Sequence, residues 1–214
     1  MKTRPMRKTL PALALSATLA LAGCGVGQNG GMGGGAGMSP EAGPAASSSS
    51  SSSSQAQHNQ ADVMFLQMMY PHHAQARQMS QLVQGRTQNP DVLDLADQIE
   101  QAQQAEMDQM SALLESFGEP APSADSMQGM DHGGGHGMGG MMSEQDMAAL
   151  EQASGTEFDR MWLSMMVEHH AGAIDMARME VEGGANEEVR QLAADMADAQ
   201  EAEITTMEDL LAQM

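Results

Sequence analysis

Positions 65, 68, 69, 72, 76 and 79 follow one another at intervals of three and four, the spacing of a single face of an α-helix. Asp62 is placed to cap the start of that helix, and Gln84, Gly85 and Arg86 mark its end. A second helix begins at Asn89-Pro90-Asp91. Asn89 serves as N-cap, Pro90 occupies the first helical position and Asp91 complements the helix dipole, and the pattern runs to about Phe117. The same signals then return: Thr156 or Asp159 opens a long helix, Gly183 and Gly184 break it, and Asn186 caps a last helix that reaches about Gln213. A short helix fits residues 144 to 153, capped by Ser143 and stopped at Ser154 and Gly155.

The return is a gapless internal repeat at an offset of 97 (169 − 72 = 97). Asp62, Leu66, Met68, Met69, His72, His73, Ala76 and Met79 recur as Asp159, Leu163, Met165, Met166, His169, His170, Ala173 and Met176. Past the turn, Asn89, Val92, Leu95, Gln103, Glu106 and Met110 recur as Asn186, Val189, Leu192, Gln200, Glu203 and Met207. Two helical hairpins of nearly equal length, each with an apolar stripe, bury those stripes against one another. The predicted fold is therefore all-α: a four-helix bundle made of two duplicated hairpins, 58–117 and 143–214, with a short extra helix before the third main one.

The rest of the chain reads differently. Lys2, Arg4, Arg7 and Lys8 precede an apolar run from Leu10 to Ala22 that ends at Cys24, the single cysteine, so residues 1–23 read as a lipoprotein signal and Cys24 as the lipidated new N-terminus. Residues 24–57, with an unbroken Ser47 to Ser54, form a Gly/Ser-rich tether too poor in apolar surface to offset its ordering entropy. Removal of the signal leaves five Arg against 29 Asp plus Glu, 5 − 29 = −24, and no lysine. Such a chain repels nucleic acid and attracts cations. The expected location is the cell envelope, anchored to a membrane through Cys24, at the periplasmic or extracellular face.

Methionine changes the picture further, because 24 of them is an unusual number. Met64, Met110, Met161, Met196 and Met207 are expected to fill the core, a role that suits a flexible apolar side chain. Residues 118–142 form a linker without periodicity. Its glycines carry Met127, Met130, His132, His136, Met138, Met141 and Met142, which read as secondary, looser metal donors. In the helices, Met69 stands three residues before His72 and four before His73, and Met166 stands in the same relation to His169 and His170; Met79 and Met176 extend each stripe by two turns. Thioether and imidazole form a soft donor set that favours Cu(I), with Ag(I) as its mimic, over Mg²⁺, Ca²⁺ or Mn²⁺. The candidate ligands are thus Met69, His72, His73, Met79, Met166, His169, His170 and Met176. Antiparallel pairing about a turn near residue 87 sets Gln103 opposite His72 and Glu106 opposite Met68, and Gln200 and Glu203 likewise, so these four are candidates to orient the imidazoles through their second ring nitrogens. Pro71, just before His72, could kink the first helix. Metal and proton compete for an imidazole, so affinity is expected to fall as pH drops through about 6.5.

The segments "FLQMMYPHHAQARQM" and "WLSMMVEHHAGAIDM", the second preceded by "GTEFD", with a "QQAEM" or "QEAEI" helix following in each half, resemble the family of domains of unknown function numbered 305, a ferritin-like group that includes CopM-type copper-binding proteins. The resemblance spans about residues 58 to 214. It implies an exported four-helix bundle, with copper binding and copper tolerance in characterised members, and the eight ligand candidates match its motif position by position. The first expectation is a binding protein that sequesters or carries Cu(I) and catalyses nothing. A metal-independent structural or partner-binding bundle is the alternative. A ferritin-like metal oxidase ranks below both, because such enzymes use Glu-x-x-His on two helices and that tetrapeptide is absent from the sequence.

Overall fold

The computed structural model describes residues 57–120 and 139–214. Cys24, the tether before residue 57, and Met127, Met130, His132, His136 and Met138 lie outside the described residues. Five helices follow in order: α1 Gln60–Gln81, α2 Pro90–Phe117, α3 Glu144–Gln152, α4 Gly155–Gly183 and α5 Glu187–Ala212. Among the described residues there is no strand, and no helix is long and apolar enough to cross a membrane.

The helix ends follow local side-chain chemistry, with two departures from expectation. The cap of α1 is Asn59, whose side chain accepts from the Ala61 and Asp62 amides at 2.7 and 3.1 Å, while Asp62 in the third helical position accepts from the Asn59 amide. Asp62 is therefore one half of a capping box, not the cap itself. Helix α4 starts earlier than Thr156 or Asp159, at Gly155 after Ser154; the Ser154 side chain makes no capping bond, and the Gly155 amide instead donates to the Arg86 carbonyl at 2.7 Å. A tertiary bond replaces a local cap there. Helix α3 is capped by Ser143 with Asp146 as its reciprocal partner, and α1 runs through Pro71 as one continuous helix.

Helices α1 and α4 pack against each other, and each packs against its own hairpin partner, α2 or α5. The first pair is antiparallel: Asn59, ahead of α1, donates to the carbonyl of Gly183 at the end of α4, and the start of α4 is tied to Arg86 beyond the end of α1. The antiparallel packing of two equivalent helices relates the hairpins by a pseudo-twofold axis. The core consequently divides into two equivalent clusters. One contains Phe65, Leu66, Met69, Met110, Met176 and Leu192; the other contains Trp162, Leu163, Met166, Met207, Met79 and Leu95, the same repeat positions with the halves exchanged. Trp162 is fully buried, and its Nε1 donates to the Met79 carbonyl at 3.0 Å.

Met110, Met196 and Met207 fill the core as expected. Met64 does not: it is 48% exposed, and Met161 is only half-buried. Helical spacing alone gave both a place beside the stripe, but the stripe that meets a neighbour is centred on Phe65, Leu66 and Met69.

Asp62 also joins the hairpins. Its carboxylate accepts from the Asn186 amide at 2.9 Å and from the Ala185 amide at 3.1 Å, at the entrance to α5. Burial would raise its pKa, but these amides, the Asn59 amide and the Glu180 carboxyl hold it below the usual value. Glu180 moves the other way: burial, then the neighbouring Asp62 carboxylate, push it up to about 8. Asp159, the repeat equivalent of Asp62, is also buried, yet its Oδ1 finds no partner, and the Asn89 amide that corresponds to that of Asn186 donates to Thr87 Oγ1 instead.

Candidate metal centre

Four histidines lie between the two apolar clusters. His72, His73, His169 and His170 are all fully buried, on α1 and α4, where those helices cross. The His72 and His169 rings, equivalent in the repeat, meet across the pseudo-axis with centroids 3.8 Å apart and planes inclined by 40°. The His169 and His170 centroids are 6.3 Å apart.

Each outer imidazole is held by a carboxylate. His73 Nε2 lies 2.7 Å from Glu106 Oε2, and His170 Nε2 lies 2.7 Å from Glu203 Oε2. Glu106 thus meets His73 instead of standing opposite Met68. The difference of about one turn follows from side-chain direction, since every helical side chain tips toward its own N-terminus and two antiparallel neighbours therefore tip toward each other. His72 Nε2 lies 3.3 Å from the Gly139 carbonyl. Gln103 and Gln200 are buried, but no hydrogen bond joins either amide to an imidazole; Gln103 Oε1 and both polar side-chain atoms of Gln200 lack partners.

These contacts decide which ring nitrogen carries hydrogen. A carbonyl oxygen or an ionised carboxylate only accepts, so Nε2 of His72, His73 and His170 must donate. In the neutral ring, Nδ1 then keeps its lone pair. Among the described residues all three Nδ1 atoms are buried without a hydrogen-bond partner, as are both nitrogens of His169, making five such ring nitrogens in one layer. An unpaired buried polar group costs about 1–3 kcal/mol. Burial, followed by the neighbouring His73, presses the pKa of His72 down to about 3, and burial together with His72 and His170 holds His169 well below its ordinary value. The central pair is therefore neutral, and a pH drop through 6.5 does not charge it in the metal-free protein.

Sulfur flanks the layer on both sides. Met69 and Met166, one turn before their histidines, are fully buried in opposite clusters, and Met68 and Met165 lie beside them. Met79 and Met176 are also buried, but seven residues at 1.5 Å per residue place each of them about 10 Å along the axis from its own first histidine. They sit among the aromatic residues Trp162 and Phe65 in the clusters, not in the imidazole layer. Met142 packs at the edge of the second cluster. Among the described residues no three or more His, Cys, Asp and Glu side chains are grouped so as to hold a metal ion.

Sequence reasoning missed the approach of Gly139 to His72. The only signals were Gly139 itself and Gly172 in the middle of α4, where glycine is a poor helix former.

Residues 62–211 match the family model described as Domain of unknown function (DUF305). Among solved structures, a DUF305 protein of Streptomyces coelicolor, described provisionally as secreted, is 35% identical, with a TM-score of 0.63 over 72% of this chain and 93% of the other. A DUF305 fragment from Deinococcus radiodurans is 32% identical, with a TM-score of 0.63 over 73% of this chain and 98% of that one. CopM in its Cu(II)-bound form is 30% identical, with a TM-score of 0.61 over 71% of this chain and 96% of CopM. CopM has also been solved with Cu(I) and with Ag, at 27% and 26% identity and a TM-score of 0.57 in each case. No protein of curated function matches the sequence.

Proposed function

Because the chain belongs to the DUF305 family, we propose that it is an exported, lipid-anchored protein that sequesters or carries copper as Cu(I), and Ag(I) in its place, without catalysing a reaction. The observation that carries this reading is the set of five unpaired ring nitrogens in a layer flanked by buried thioethers. Structural histidines normally have both nitrogens satisfied or reach water. Here Glu106, Glu203 and the Gly139 carbonyl each occupy Nε2, so the atoms offered to an ion are Nδ1 of His72, His73 and His170 and either nitrogen of His169. Glu106 and Glu203 act as orienting groups that fix the tautomer and raise the basicity of the free nitrogen. Met69 and Met166 are the sulfur donors closest in sequence and height to the rings. Met79 and Met176 support them by packing.

The donor set favours a soft monovalent ion over a hard divalent one. The compartment agrees, since thioether and imidazole stay ligands where a pair of thiols would oxidise. The forms of CopM solved with Cu(I), Cu(II) and Ag are consistent with it. Residues 126–142 act as the looser collector and Cys24 as the membrane anchor.

The test is Cu(I) uptake by the purified protein under reducing conditions, measured by competition with a colorimetric chelator. Replacing His72, His73, His169 and His170 together by Ala removes most of the uptake of the helical domain. Unchanged stoichiometry in that variant refutes the assignment and leaves a metal-independent, partner-binding bundle.

A further inference from the structure

Residues Gly139 to Met142 lie across the groove between α1 and α4, at the level of the paired histidines. Two equivalent positions of the repeat hold the two ends of this segment, and they do so by opposite means. Gln75 on α1 uses both ends of its side-chain amide on one residue: its Nε2 donates to the Met142 carbonyl at 2.8 Å, and its Oε1 accepts from the Met142 amide at 2.7 Å. Its counterpart on α4 (75 + 97 = 172) is Gly172, which has no side chain to offer.

That absence makes room. A Cβ on Gly172 would collide with the carbonyl of Gly139 and with the Gly140 amide nitrogen. Gly140 is equally constrained: its φ is +87°, and a Cβ there would come within 2.5 Å of the Glu168 carbonyl oxygen and 2.8 Å of that of His169. The segment therefore rests on the α4 backbone in contact allowed only by glycine on both sides. At its first residue the Gly139 carbonyl also accepts from His72 Nε2 at 3.3 Å, a long hydrogen bond that is weaker than the pair at Gln75. Beyond Met142, Ser143 caps α3, whose Leu150 is fully buried in the second cluster, so the far end of the segment is anchored.

We propose that Gly139–Met142 is a strap closing the imidazole layer, that Gly172 and Gln75 are the positioning residues that seat it, and that an ion enters the layer when the strap lifts. The proposal rests on the metal-binding reading above. Lifting breaks the two bonds at Gln75 and the long contact at His72 while α3 stays docked. It also frees His72 Nε2 and brings Met141 and Met142 away from α1, at the end of the Met/His-rich segment that precedes them in sequence.

The test compares the full wild-type chain with G172A and Q75A. Alanine is the better helix former, so G172A strengthens α4 while removing the seat of the strap, and circular dichroism confirms that each variant keeps its helices. Two readouts are taken. The first is independent of metal: amide hydrogen exchange at Gly140 to Met142 and the rate of diethyl pyrocarbonate modification of His72, by mass spectrometry. The second is the rate of Ag(I) uptake by stopped flow. Since the apparent rate scales with the open fraction, G172A is expected to speed His72 modification and Ag(I) uptake by roughly tenfold or more, and Q75A by a smaller factor, with final stoichiometry unchanged. Unchanged exchange and modification in both variants overturn the strap. Faster exchange with an unchanged Ag(I) rate overturns its gating role. Failure of every protein, wild type included, to take up Ag(I) overturns the metal reading, and the modification rates still decide whether the strap covers His72.

Discussion

His169 is the imidazole with neither nitrogen satisfied, and its replacement by Leu separates function from stability. Leu has similar bulk and no polar atom, so His169→Leu removes two unpaired buried groups, each costing about 1–3 kcal/mol. The ring contact with His72, at 3.8 Å between centroids, is lost and takes back about 0.5–1.5 kcal/mol. Imperfect packing of the new side chain takes back up to about 1.5 kcal/mol more. These terms sum to a range from about −1 to about +5.5 kcal/mol, centred on about 2 kcal/mol in favour of the metal-free variant, and for a domain of this size each kcal/mol raises Tm by roughly 2–4 °C. Urea unfolding in the presence of a chelator measures it. Far-UV circular dichroism follows the helices, and the fluorescence of Trp162, the only tryptophan, follows the core beside the site. Adding Ag(I) should then reverse the order, because an ion bound only by the native state stabilises it by about 2.7 kcal/mol at a hundredfold excess over Kd, and the variant forfeits most of that gain. A metal-free variant clearly less stable than wild type refutes the reasoning, for it would show that His169 is a satisfied structural residue.

Two further outcomes follow from the Asp62 end of the bundle. Glu180 has its folded pKa raised to about 8 from 4.5, so the stability linked to its proton is complete below pH 4.5, declines as pH rises, and is gone above about 8. The urea midpoint of the wild type should be lower at pH 8.5 than at pH 6, and E180Q should flatten that part of the profile; an equal slope in the variant assigns the effect elsewhere. Asp62→Ala strands the Asn186 and Ala185 amides and should cost about 2–4 kcal/mol, whereas Asp159→Ala, at the equivalent position with an unpaired Oδ1, should cost under about 1 kcal/mol. Equal losses in chemical denaturation would contradict the difference described between the two ends.

The helices were legible because their signals are local. Asn89, Asn186 and Ser143 cap where the chain says they should, and the stripes around Phe65 and Trp162 are buried. The fold class followed from two such hairpins needing each other. The family resemblance was equally legible in the doubled His-His motif. What escaped depends on how the pieces meet. Glu106 reaches His73 because side chains tip, which a register counted on Cα positions ignores. Periodicity could not say that Met64 points outward or that Met79 belongs to the same cluster as Met166 from the other half. Gly172 drew no assignment from the sequence, and its role follows only from the Gly139 peptide lying on it. Glu180 gave no signal, since its repeat equivalent is Val83 and its environment comes from the opposite hairpin.

The pairing of His72 with His169 across the pseudo-axis has an evolutionary consequence. Two separate copies of one hairpin, associating as a homodimer, would already have placed a pair of identical rings on their symmetry axis, before any gene fusion. Two copies joined in one chain, unlike two in a homodimer, need not match each other. Gln75 and Gly172 record that freedom: an ancestor with the same residue on both sides could not have clasped a single crossing peptide from one side while yielding space to it from the other.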